Sequence, residues 1–145
     1  MTQRKAYVNE NNRLKLLPST DSTSADVTTI AKVASGAIAT LNVVRETSAT
    51  QVSTCDAATE AHGDSVLGVS TSGVADTVSL ELVSSGILTN GGWSWTPGGL
   101  IFAGLAGALT QTVPTLDGGY AFSKVMGVAL SATAMRVRPE TTYYF

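Results

Sequence analysis

The chain has 145 residues, a net charge of −2, and only 14% charged and 6% aromatic side chains. That is the length of one domain, or of one domain with an arm, and low charge argues against disorder. No dense Lys/Arg cluster supplies the basic footprint of nucleic-acid binding, and the dominance of small side chains implies a thin core that gains from burial against copies of the same chain.

Residues 1–26 form a distinct segment, "MTQRKAYVNENNRLKLLPSTDSTSAD", with four of the nine basic residues: Arg4, Lys5, Arg13 and Lys15. "NENN" reads as a turn between two short extended pieces, Tyr7-Val8 and Leu14 to Leu17 (with Leu16). Pro18 and "STDSTSAD" read as a linker. The segment is either a frayed terminus or an extended arm that orders on a partner surface. The start is basic but no apolar run follows, so export by a signal peptide is not expected.

From residue 27 onward the pattern is short strands. "IAKVASGAIATLNVV" gives strand material on both sides of Gly36. "CDAATEAHGD" is the one candidate helix, with Asp56 as cap and Gly63 as stop. "DTVSLELV" alternates, which places Val78, Leu80 and Leu82 on one face of a half-buried strand. Asn90-Gly91-Gly92 between two apolar runs predicts a hairpin.

The most apolar stretch, Gly98 to Leu109, spans 12 residues. A membrane helix needs roughly 20. Four glycines in and around it also disfavour a helix. A hairpin fits better: Leu100 to Ala103, a turn at Gly104 to Gly107, then Ala108 to Thr112, stopped by Pro114. Asp117-Gly118-Gly119 marks another turn. "AMRVRP" alternates again, with Met135 and Val137 inward and Arg136 and Arg138 outward. "SVLGVSTSGVADTVSLEL" (65–82) and "KVMGVALSATAMRVRPE" (124–140) share a pattern in which Gly68 matches Gly127, which suggests two related halves, about 34–84 and 96–140. The fold class expected is all-β: a barrel or sandwich of short strands in residues 27–145.

Candidate chemistry is sparse. His62, Asp64 and Ser65 are close in sequence, yet a triad needs three side chains that converge, and such near neighbours seldom do. Cys55, the only cysteine, and His62, the only histidine, do not make a zinc set. No cofactor, metal or catalytic residue is expected. Trp93 and Trp95 point to one face if they lie in a strand. They form either a platform for a sugar ring or part of the core or a subunit contact, and the second reading is favoured because other large side chains are few. Tyr143, Tyr144 and Phe145 would form an adhesive patch if left free, so they are expected to dock on their own domain or on another subunit.

"GALTQTVPT" (107–115), a glycine turn and "KVMGVALSATAMRVRPE" (124–140) resemble the C-terminal module of bacteriophage head-fibre and capsid decoration proteins. The opening "KAYVNENNRLK" also resembles the start of such proteins. The resemblance is firm over about 96–140 and looser over 34–84. It implies a β-rich, commonly trimeric virion protein on the exterior of the head, bound to the major capsid protein, and it carries over no catalytic residue. The chain lacks the long fibrous region of some such proteins, which favours a compact decoration protein. Under this reading Arg4, Lys5, Tyr7, Val8, Arg13, Leu14, Leu16 and Leu17 form a capsid-binding arm. Trp93, Trp95, Tyr143, Tyr144 and Phe145 form the oligomer interface. The protein is expected to be made in the host cytoplasm, with no nucleic-acid or membrane partner. The alternative is a sugar-binding appendage or tail-spike module that uses Trp93 and Trp95 on a host-surface glycan.

Overall fold

Runs of β-branched and small side chains between glycine-rich turns form ten strands in the computed structural model, which describes residues 27–145. The chain is all-β. The first five strands are β1 (Thr28–Ala34), β2 (Val43–Glu46), β3 (Gln51–Thr54), β4 (Val66–Ser70) and β5 (Ser79–Thr89). β1 lies parallel to β3, with Ala34 beside Val52, and antiparallel to β5, with Lys32 beside Leu80. β3 pairs with β2, β2 with β4, and β4 with β5, so the five close into a barrel. Closure leaves β1 with neighbours on both sides and no free edge.

β5 does not end with the barrel. Its last four residues, Gly86 to Thr89, pair with β9 (Ala134–Val137). β9 forms a hairpin with β8 (Phe122–Ser131), β8 pairs with β6 (Leu100–Ala103), and β6 pairs with β7 (Leu109–Thr110). β10 (Thr142–Tyr144) runs along the start of β8, with Tyr143 beside Ser123. A flanking sheet therefore grows out of the barrel through β5.

Two apolar clusters follow from this geometry. Ala34, Ile38, Val44, Val52, Leu80 and Leu82 fill the barrel. Val43, Val69 and Val83 belong to the second cluster, where they meet Ile101, Phe122, Met126, Met135 and Val137 of the flanking sheet. Adjacent residues on a strand point to opposite faces. Val43 and Val44 thus serve different cores, as do Leu82 and Val83. The barrel wall is buried on both faces where the sheet covers it, which explains the paired apolar residues at these positions.

Several sequence expectations hold. Gly104 to Gly107 connects β6 to β7, and Met135 and Val137 are fully buried. The alternation of Leu80 and Leu82 holds, whereas Val78 precedes β5 and is exposed. Three expectations are corrected. Asn90 to Trp93 is a turn, closed by the Trp93 N–H donating to the Asn90 carbonyl at 3.1 Å, but no hairpin follows, because β5 takes β9 as its partner. The predicted helix at 55–64 is a short 3-10 helix of six residues, Glu60–Ser65, flanked by Thr59, with no side-chain cap. The second strand of the apolar hairpin spans two residues, because Gln111 turns away to bond Thr96.

Gly68 and Gly127 occupy equivalent places. Each lies in the first strand of an antiparallel pair, and a Cβ at either would collide with a backbone carbonyl of the second strand, that of Val83 or Arg136. The shared sequence pattern is thus a shared packing requirement. Gly127→Ala is expected to lower unfolding stability by about 1–3 kcal/mol through overpacking. Gly91→Ala, which meets nothing within 4 Å, should stay within about 0.5 kcal/mol of the parent. Denaturant titration of both variants checks the contrast.

Candidate functional site

A cluster of polar groups lies where the barrel meets the flanking sheet, along residues 55–65. Cys55 extends β3, its N–H donating to the Val43 carbonyl at 2.8 Å. Asp56 then organises the turn. Its Oδ1 accepts from the N–H groups of Ala58 (3.0 Å) and Ala106 (3.1 Å), and its own N–H donates to Nδ1 of His62 (3.0 Å). The Ala106 contact ties the Gly104 to Gly107 turn to the barrel. Gly107 has φ of +85°, and a Cβ there would lie 2.5 Å from Thr54 Cγ2, so glycine is required on both counts. Ala57 completes the joint: its N–H donates to the Gly104 carbonyl (3.2 Å), and its carbonyl accepts from Ala121 N–H (2.8 Å).

The other side of the 3-10 turn holds β8 and β10. Lys124 is buried on the inward register of β8, between Phe122 and Met126. Its Nζ donates to the Glu140 carbonyl (2.6 Å) and to Thr142 Oγ1 (3.0 Å), and the Thr142 hydroxyl donates to the Gly63 carbonyl (2.8 Å). The Tyr144 ring packs over Gly63, with its hydroxyl beside Asp64, and meets Phe122 edge-on at 6.1 Å.

Burial governs the electrostatics. It lowers the Lys124 pKa, with the Asp64 and Cys55 charges pulling the other way. It pushes the Cys55 thiol up to about 11, with Arg45 opposing. It also lowers the His62 pKa, and Arg45 adds to the effect. The Arg45 Nε is buried without a hydrogen-bond partner among the described residues. His62, Asp64 and Ser65 do not converge: the Ser65 hydroxyl donates to the His62 carbonyl oxygen at 3.2 Å, the imidazole accepts from Asp56, and Asp64 faces Tyr144. Among the described residues no three His, Cys, Asp or Glu side chains are grouped as metal ligands, and no helix is long and apolar enough to cross a membrane.

Trp93 and Trp95 are half-buried and pack against the core shared by barrel and sheet. Their ring centroids lie 5.4 Å apart with planes at 47°, so each shields part of the other. Their segment is held at both ends. Trp95 N–H donates to the Ala132 carbonyl (2.9 Å), and the Gln111 side-chain amide pairs with the Thr96 backbone at 2.8 and 3.0 Å.

The C-terminal aromatics divide. Backbone pairing fixes β10 to β8, and Phe145 N–H donates to the Ala121 carbonyl. The Tyr143 and Phe145 side chains remain 68% and 54% exposed. A second apolar surface lies on the flanking sheet, where a groove of about 370 Å³ is lined by Thr96, Gly99, Leu100, Phe102, Gln111 and Val113. Leu100 and Val113 are 50% and 65% exposed. The candidate arm residues Arg4, Lys5, Tyr7, Val8, Arg13, Leu14, Leu16 and Leu17 lie outside the described residues.

Sequence reasoning missed Lys124 and the Asp56–Ala106 contact. Lys124 carried a signal, since it falls on the inward parity of "FSKVM". Asp56 carried none, because its partner is fifty positions away. No protein-family model matches the chain, and no curated protein matches it.

Two measurements check the cluster. Cys55 is fully buried with a raised pKa, so a thiol reagent at pH 7 should label the native protein at least a hundredfold more slowly than the urea-unfolded chain. Thr142→Val removes an acceptor from Lys124 and a donor from the Gly63 carbonyl. It is expected to cost about 1–3 kcal/mol in denaturant unfolding.

Proposed function

We propose that this protein is a structural component of a virion, a capsid decoration protein of the cement or head-fibre type that sits on the outside of a phage head and binds the major capsid protein. The observation that carries the reading is the exposed apolar surface of a small all-β body: Tyr143 on β10 with Phe145 just after it, and Leu100 on β6 with Val113 beyond β7. Apolar surface left exposed at two places on a small protein marks contact with other protein. The resemblance of residues 107–140 to decoration proteins gives that contact its setting. These residues build the flanking sheet, where Gly107, Gln111 and Gly127 each meet a backbone requirement rather than a chemical one.

In this reading the body is a homo-oligomer, a trimer, held through its aromatic surface. Cyclic symmetry lets one patch be covered by a copy of the chain without leaving adhesive surface behind. Residues 1–26 serve as capsid-gripping arms. An extended segment can add a strand to a sheet edge, and several arms on one oligomer act together through effective concentration. Trp93 and Trp95 contribute by supporting the shared core.

Light scattering is expected to return three times the 14.9 kDa chain mass at micromolar concentration. Tyr143→Ser with Phe145→Ser should lower that mass while the circular dichroism stays that of a β-protein. Deleting residues 1–17 should keep the oligomer and abolish binding to undecorated heads. A monomeric parent contradicts the oligomer, and unchanged decoration by the truncated protein moves the capsid contact into the β-domain.

A further inference from the structure

His62 is the only histidine in the chain, and its position gives protonation a structural consequence. The imidazole is half-buried. Nδ1 accepts the Asp56 N–H at 3.0 Å, so the neutral ring must carry its proton on Nε2. A protonated ring is a donor at both nitrogens, so two donors would then face each other and the bond would be lost. The turn that this bond closes runs from Asp56 to Ser65, and its far side is what β10 rests on. Thr142 donates to the Gly63 carbonyl at 2.8 Å, and the Tyr144 ring covers Gly63. β10 is a three-residue strand paired only with the start of β8. It therefore depends on the turn for much of its support.

We propose that His62 is an acid-operated latch: protonation of its ring releases the Asp56–Ser65 turn and frees β10, with Tyr143, Tyr144 and Phe145, from the body of the protein. The strands packed against the turn are β2, β8 and β10. β2 presents Arg45, whose charge opposes a second positive charge, while Glu46 on the same strand is paired with Lys32 at 3.0 Å. β8 presents Lys124, a further cation. β10 presents Tyr144. On the turn and its approach lie Cys55, Asp56, Glu60 and Asp64. The Asp56 carboxylate and a backbone hydrogen bond to Asp56 favour the imidazolium, but burial, the largest effect, and Arg45 outweigh them, and the His62 pKa is lowered. The sign follows. The closed state binds the proton less well than the open one, so the latch is at full strength above the ordinary histidine pKa of about 6.5 and weakens as pH falls from there through the lowered value.

Hydrogen exchange of the Thr142 to Phe145 amides, corrected for intrinsic rates, tests the latch between pH 7.5 and 4.5. Opening of β10 is expected to rise by up to tenfold per pH unit below about pH 6.5 and to level off below the folded-state pKa of His62. β5 amides should keep their protection over the same range. His62→Asn places a non-titrating oxygen near the position of Nδ1 and should give β10 protection that does not change with pH. Arg45→Met should raise the imidazole pKa, read from the chain's single imidazole resonance, and narrow the pH range over which opening grows. Flat β10 protection in the parent overturns the proposal. So does a His62→Asn profile matching the parent, or β5 protection lost in step with β10.

Discussion

β5 is the one strand that belongs to both parts of the molecule. Its first seven residues pair with β1 and close the barrel, and its last four pair with β9 and start the flanking sheet. Near the end of the first set the register slips by one residue at Ser84, opposite Thr28 and Thr29, and Gly86, which opens the second set, takes φ of +117°. A bulge bends a strand and increases its twist, so one continuous strand can leave a tightly curved barrel and enter a more open sheet. Everything else is arranged around that bend. The sheet folds back over the barrel wall, and Val43, Val69 and Val83 become buried on the wall's outer side.

A thin core of small side chains gains from this arrangement. Most of its buried apolar residues are valine and alanine, each of which removes a modest area from water. Burying both faces of the same wall lets a few strands contribute twice. The polar joint along Asp56 to Ser65 then fixes the angle between the two layers, because Asp56, Ala57 and Gly63 bond to parts of the chain far away in sequence.

Local patterns in the sequence showed what each strand does with its own side chains. Leu80 with Leu82 and Met135 with Val137 were readable from alternation alone, and Gly104 to Gly107 from glycine placement. Partners were not readable. Asn90-Gly91-Gly92 marks a reversal, and the chain does reverse there, but a turn signal does not say that β5 will pair with a strand nearly fifty residues later. The expected helix failed for a similar reason. Asp56 is a good capping residue, yet its carboxylate is taken by Ala58 and Ala106 and its N–H by the His62 ring, which leaves a short 3-10 turn. The candidate site was legible as separate residues, Cys55, His62 and Asp64, and not as a joint, because Lys124 and Thr142 reach it only through the fold.

Sharing β5 should make barrel and sheet one cooperative unit. Native-state hydrogen exchange at rising urea concentration tests it most directly. Amides of Leu80 to Val83 and of Ile87 to Leu88 should converge on one opening free energy with one urea dependence, equal to those of global unfolding. If Ile87 and Leu88 exchange through a smaller opening with a weaker urea dependence while Leu80 to Val83 stay protected, the sheet opens independently of the barrel and β5 does not couple them.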